Sequence, residues 1–282
     1  MKLIILDSSQ IECRVSAWLA GETWLLDAFR EKRDVYCEFG KEIYHREITK
    51  KDETERFCSK TATLGLTYMM GAPKFQMALV TKSIELGLEP IYLDLSACKN
   101  IVYTYRRKNA EIVKLWGRFT DIIEDIANGV AGSYKCLSWG KDFILLPNGL
   151  KLFYPQTRVS RPEPESASHK MFKKRPSSLP PVKRFQEASY LSVGGRTKIY
   201  SGLAVENTTQ ALARAIVADQ MRQIAQKYRI VLMEHDAIGY LAENNVAKKA
   251  FDWGLEIMST PPKWAPDMPL AAEGICDDRN SK

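Results

Sequence analysis

The 282-residue chain carries 41 Lys and Arg against 34 Asp and Glu, a net charge of +7, with 45% hydrophobic residues. Such a length buries a substantial core as one large domain or two small ones, and no apolar run approaches the ~20 residues needed to span a bilayer. A lone Lys2, a short apolar run and an early Asp7 make a poor signal peptide, and Cys13, Cys37, Cys58, Cys98, Cys136 and Cys276 are scattered without a C-x-x-C pair, which points to free thiols rather than a disulfide framework or zinc site.

Leu3 to Leu6 form an apolar run too short for a helix, and it stops at Asp7. It predicts a buried strand with a carboxylate at its C-terminal mouth, either a turn residue or an acid held at the rim of a cleft. Ser8 or Ser9 then caps a helix that carries Glu12 and Arg14. Residues 10–33 read as a helix pair interrupted at Gly21, with Trp18, Leu19, Trp24, Leu25 and Phe29 as the apolar face. A further helical stretch opens at Asp34-Val35-Tyr36 and runs to about Tyr44.

From Glu55 to Gly71, Arg56, Lys60, Leu64 and Tyr68 recur every fourth residue, which lines them along one helical face. Two cations a turn apart, then an apolar residue and an aromatic, read either as a solvated basic edge or as a grip for a triphosphate and a base. Arg forks onto phosphate oxygens while Lys acts as a point charge. Helices follow at 73–89, with Pro73 in the first turn, and at 109–128, stopped by Asn128-Gly129. Phe143 to Tyr154 predicts two short strands around Pro147-Asn148-Gly149.

Pro155 to about Ser192 is rich in proline, serine and basic residues and predicts a long loop or insertion. Between Arg158 and Lys198 there are ten Lys/Arg and three Asp/Glu, so the whole chain's excess of +7 sits in this one segment. It is either a solvated tether or a surface for phosphate backbones. Beyond Glu206 the chain is Ala-rich and helical, with Asn207, Gln210 and Arg214 on one stripe. Their amides and guanidinium suit either ordinary helix polarity or the acceptors common to all base pairs in a minor groove. Arg229 to Leu241 predicts strand, tight turn, strand, with His235-Asp236 at the turn.

Three of these strings resemble motifs of one family in the right order. Asp7, Ser9, Gln10, Ile11, Glu12 and Arg14 match motif A of the family A (bacterial polymerase I-like, phage-type) DNA polymerases, usually D-Y-S-Q-I-E-L-R, with Ser8 and Cys13 as departures. Arg56, Lys60, Gly65 and Tyr68 match motif B, with Leu64 in place of the usual aromatic and Gly71 two residues late. His235 and Asp236 match motif C, usually V-H-D-E, while Glu234 and Ala237 depart from it. Glu206-Asn207 through Arg214, and the tail from Trp264 to Gly274, also resemble the phage-type members.

The resemblance implies an α+β fold: a polymerase palm built on an antiparallel sheet, with a helical fingers subdomain. Residues 1–33 and 200–282 would form the palm, 34–142 the fingers, and 143–199 a hairpin with the basic insertion. It implies template-directed transfer of dNMP to a primer 3′-hydroxyl, with two Mg²⁺ ions held by Asp7, Asp236 and the Ser8 carbonyl. Arg56, Lys60, Tyr68, Glu12, Gln10 and Leu64 would line the dNTP site, with Glu12 excluding a ribose 2′-hydroxyl by bulk. Asn207, Gln210 and His235 would contact primer–template DNA. The thumb and exonuclease elements of the family are expected on a second polymerase chain, in the cytoplasm of a bacterial host if the chain is phage-encoded. A non-catalytic remnant or accessory that binds primer–template is the competing expectation. A nuclease using the same paired Asp residues would leave the basic stripe idle.

Overall fold

A computed structural model describes residues 1–160 and 187–277. Residues 161–186, the middle of the basic segment, lie outside the described residues, so that part of the expected insertion is not characterised.

In chain order the elements are β1 (Lys2–Ser8), α1 (Ile11–Ala20), α2 (Thr23–Arg30), α3 (Val35–Tyr44), α4 (Glu53–Leu66), α5 (Ala72–Glu85), α6 (Leu95–Lys108) and α7 (Ala110–Asn128). Then come β2 (Gly132–Tyr134), β3 (Leu137–Gly140), β4 (Phe143–Leu145), β5 (Lys151–Phe153), β6 (Arg158–Ser160), β7 (Glu187–Ser192) and β8 (Gly195–Ile199). The chain closes with α8 (Ser201–Ile224), β9 (Arg229–Glu234), β10 (Ala237–Ala242), α9 (Ala247–Ser259) and β11 (Ala272–Asp277). By contacts it divides into two compact units, Met1–Ile112 with Thr208–Lys282, and Val113–Asn207.

The first unit is built on a four-stranded antiparallel sheet in the order β11-β1-β10-β9. The first and last strands of the chain are therefore neighbours. Period-two alternation sends Ile4, Leu6 and Ser8 to the buried face of β1 and leaves Leu3, Ile5 and Asp7 on the other. Ile4 and Leu6 join Val217 and Ile224 of α8, Ile238 and Tyr240 of β10, and Ala247, Ala250 and Met258 around α9 in one core cluster. Burying each large aliphatic or aromatic side chain there contributes roughly 1.5–3 kcal/mol.

The helix pair expected over 10–33 is α1 and α2, and Gly21 breaks it in the left-handed region at φ 76°. Neither Ser8 nor Ser9 caps α1. The cap is Gln10, itself left-handed at φ 54° and without a side-chain cap hydrogen bond. α4 ends at Leu66, and Met69 turns the chain at φ 65°, so Tyr68 stands in a turn past the helix rather than on its face. Among the described residues α6, α9, β2, β3, β8 and β11 had no clear sequence signal, and β6 and β7 stand at the two ends of the stretch expected as a long loop. α8 starts earlier than Glu206, at Ser201.

The tail folds back within this unit. Trp264 packs edge-on to Trp18, whose Nε1 donates to Asp267 Oδ1 at 2.8 Å. The buried Arg14 guanidinium donates from Nε to the Ser9 carbonyl (2.7 Å) and from Nη1 to the Pro269 carbonyl (2.9 Å), with its Cζ 4.2 Å from the centre of the Phe29 ring.

The second unit holds two antiparallel sheets, β2-β3-β4-β5 and β6-β7-β8. The hairpin expected at 143–154 is β4 and β5. Tyr154 meets Tyr190 edge-on, and Asn207 Nδ2 donates to the Tyr154 hydroxyl at 3.2 Å. Among the described residues no helix is long and apolar enough to cross a membrane, and all six cysteines are free thiols.

Candidate active site

Two acids far apart in sequence meet at one end of the sheet. Asp7 lies opposite Ala237 in the β1–β10 ladder, one residue past Asp236, and opposite Glu273 in the β1–β11 ladder. The Ser8 amide donates to the Asp236 carbonyl at 3.1 Å, which fixes the β9–β10 turn against the end of β1. His235 makes that turn in the left-handed region at φ 50° and is exposed. Burial, then the nearby Asp236 charge and a hydrogen bond to its side chain, then Glu273, hold the Asp7 carboxyl above the usual carboxylate range.

Among the described residues no three His, Cys, Asp or Glu side chains gather into a metal cage. The donor set is two hard carboxylates with a third acid on the neighbouring strand. That fits Mg²⁺, which binds through one or two carboxylates and keeps waters and substrate oxygens as its other ligands. Burial first and then the Asp236 charge raise the Asp7 pKa, and a divalent cation relieves the charge repulsion. The Ser8 hydroxyl is buried without a hydrogen-bond partner, and it faces the core side with Ile4 and Leu6.

Beside the carboxylates, the first helix and the segment after α4 are tied together. The Tyr68 hydroxyl donates to Glu12 Oε2 at 3.0 Å. Burial, followed by the adjacent Glu12 charge, pushes that phenol well above its usual range. The Gln10 side chain hydrogen-bonds Tyr36, which is buried. Arg56 Cζ lies 5.5 Å from the centre of the Tyr36 ring, within cation–π range. Arg56 also donates from Nε (3.0 Å) and Nη2 (2.8 Å) to Asp34 Oδ2. Lys60, one turn on, is exposed with no ion-pair partner among the described residues, and Leu64 is half-buried.

On α8, Gln210 and Arg214 are exposed, and Arg214 Nη1 donates to the His235 carbonyl at 3.4 Å. Asn207 belongs to the second unit, where its amide is engaged by Tyr154. Two acids escaped the sequence reading as site residues. Asp34 was legible only as the opening of a helix, and Glu273 only as part of the tail string, since its strand pairing with Asp7 has no local signature.

The model of DNA polymerase family A matches residues 1–112, which span β1 and the helices through the start of α7. A DNA polymerase of Bacillus phage SP02 is 27% identical over 98% of this chain and 40% of its own length. The POL domain of Pol1 from M. smegmatis, solved in complex with DNA primer-template and dNTP, matches the fold with a TM-score of 0.63 at 16% identity, over 98% of this chain and 39% of that one. The chain thus spans about two-fifths of the length of each. Its mixture of helices and antiparallel sheet has the fold of that POL domain, and over residues 1–112 the chain is similar to DNA polymerase family A.

Proposed function

We propose that the chain is the catalytic module of a template-directed DNA polymerase. One observation carries this reading: Asp7 and Asp236 converge at the sheet end, and the chain leaving Asp7 is tied through Glu12 to Tyr68 and through Gln10 and Tyr36 to Arg56. The paired acids suit metal-assisted chemistry and the cations suit a polyphosphate. A binding protein needs neither carboxylate.

In this reading 1–33 and 200–282 form the palm, 34–142 the fingers, and 143–199 a hairpin and basic insertion. The primer 3′-oxygen attacks the α-phosphorus of a dNTP as its proton passes to solvent water, the bond from the α-phosphorus to the bridging oxygen breaks, and pyrophosphate departs. Asp7, Asp236 and the Ser8 carbonyl would hold two Mg²⁺ ions, which supply a lowered pKa for the 3′-hydroxyl and charge neutralisation for the leaving group. Arg56 and Lys60 bind the triphosphate, so their work is positioning and charge stabilisation. Tyr68 stacks near the nascent pair, Gln10 and Leu64 border the nucleotide, and Glu12 blocks a 2′-hydroxyl. Asn207, Gln210 and His235 contact the primer–template.

A second polymerase chain carrying thumb and exonuclease elements completes the grip on DNA. The test is extension of a labelled primer with Mg²⁺ and four dNTPs, comparing wild type with Asp236→Ala, with and without the second chain. Extension that Asp236→Ala abolishes is the expected result. Equal inertness of both under every condition, with salt-sensitive DNA binding retained, would establish a non-catalytic remnant instead.

A further inference from the structure

The Asp34 carboxylate does two jobs with two oxygens. Oδ1 accepts the backbone N–H groups of Tyr36 (3.0 Å) and Cys37 (3.1 Å) and so caps α3. Oδ2 accepts two N–H donors of Arg56, from Nε and Nη2. The cap anchors the acid to the start of one helix, and the ion pair anchors the guanidinium of the next helix to the acid. Side-chain exposures of 30% for Arg56 and 19% for Asp34 leave the pair partly shielded from water, which strengthens it over an exposed pair. The Tyr36 ring, 5.5 Å from Arg56 Cζ, bounds the guanidinium on a second side.

A guanidinium has five N–H donors. Asp34 takes two of them and the Cys37 side chain engages a third, which leaves two for another anion. We propose that Asp34 is the positioning residue for the triphosphate: by capping α3 with one oxygen and pinning Arg56 with the other, it presents the remaining fork of Arg56 in a fixed plane to the phosphates. This rests on the polymerase reading above. Only a residue with two acceptor oxygens on one short stem does both jobs. An asparagine keeps the cap through its single oxygen and turns its NH₂ toward the donors of Arg56.

The test is a double-mutant cycle read by isothermal titration of the full chain with a dNTP and Mg²⁺, with and without primer–template, alongside KM and kcat in primer extension. Asp34→Asn weakens dNTP binding about three- to tenfold and raises KM similarly, while kcat holds; the cap survives, and loss of the ion pair alone lowers the thermal midpoint modestly. Arg56→Ala weakens binding further, and adding Asp34→Asn to it changes nothing more. A merely structural Asp34 gives the same loss with or without Arg56, which overturns the proposal, as does unchanged or tighter binding by Asp34→Asn. Binding that depends on Arg56 and not on Asp34 overturns this inference alone. Failure of wild type to bind any dNTP overturns it together with the polymerase reading.

Discussion

The Tyr68 hydroxyl donates to Glu12 Oε2 at 3.0 Å, joining the helix after β1 to the turn after α4. The bond fixes where the Glu12 carboxylate stands. If that carboxylate blocks a ribose 2′-hydroxyl, Glu12→Ala opens the space and Tyr68→Phe merely loosens the wall. Glu12→Ala is expected to reduce selection of dNTP over rNTP about 10- to 200-fold, the range of a steric pocket. Tyr68→Phe, losing one hydrogen bond of about 0.5–1.5 kcal/mol, reduces it by about two- to tenfold. Single-nucleotide incorporation with paired dNTP and rNTP substrates measures both. Unchanged selectivity in Glu12→Ala assigns the acid to structure alone.

Asp7 carries a pH signature whose sign follows from its raised pKa. Burial and the charges of Asp236 and Glu273 disfavour its ionised form in the folded chain, so the native state binds this proton more tightly than the unfolded state. Between the unfolded value near 3.8 and the raised folded value, stability therefore falls as pH rises, and above the folded value the penalty is fully present. Asp7→Asn removes the repulsion, so its thermal midpoint at neutral pH should exceed that of wild type in EDTA. Added Mg²⁺ should raise the midpoint of wild type and leave that of Asp7→Asn nearly unmoved. Thermal scans across pH with and without Mg²⁺ check both, and a metal response that persists in Asp7→Asn places the cation elsewhere.

How far the site could be read ahead of the structure depends on how local each feature is. An apolar run ending in Asp7 is a strand signal carried by five residues. The His235-Asp236 turn between two apolar stretches is equally local, and both formed as expected. Their pairing required the family resemblance, because nothing in either string specifies that β1 lies between β10 and β11. The fourth-residue spacing placed Arg56 and Lys60 correctly on α4 but carried Tyr68 too far along it, since the spacing is blind to the left-handed turn at Met69. Side-chain competition was also invisible. Gln10, not Ser8 or Ser9, stands at the cap of α1 while its side chain reaches Tyr36, and Asp34 serves two partners at once.

Arg14 shows what a matched motif residue does when it touches no reacting group. Its buried guanidinium bridges the Ser9 carbonyl, just past the strand that carries Asp7, and the Pro269 carbonyl in the tail. Arg14→Ala leaves both carbonyls without that donor and opens a space beside Phe29. We expect a loss of about 2–4 kcal/mol in denaturant unfolding, with earlier proteolysis of the tail. Arg14→Lys keeps the charge but cannot fork to two carbonyls, so it should fall between the two. A tail equally resistant to protease in Arg14→Ala would show that Trp18, Asp267 and Trp264 hold it unaided.

Gly254 sets how closely α9 approaches the sheet beneath the carboxylates. A Cβ there would stand 2.2 Å from the Tyr240 hydroxyl oxygen and 2.6 Å from Leu6 Cδ1. Neither neighbour gives way cheaply. Tyr240 is fully buried, lies opposite Ile4 in the β1–β10 ladder, and donates to the Ala250 carbonyl at 2.7 Å, while Leu6 immediately precedes Asp7 on β1. Gly254→Ala should therefore destabilise the chain by about 1–3 kcal/mol, the range of an overpacked core, and it should lower activity by displacing the strand that carries Asp7. Tyr240→Phe removes the oxygen in the way at the loss of one hydrogen bond of about 0.5–1.5 kcal/mol. The double variant should then be more stable than the two single losses predict, a favourable coupling that chemical denaturation of the four chains measures directly. Strict additivity would mean that α9 swings away from the sheet as a unit, and in that case Gly254→Ala would leave the position of Asp7, and with it activity, intact.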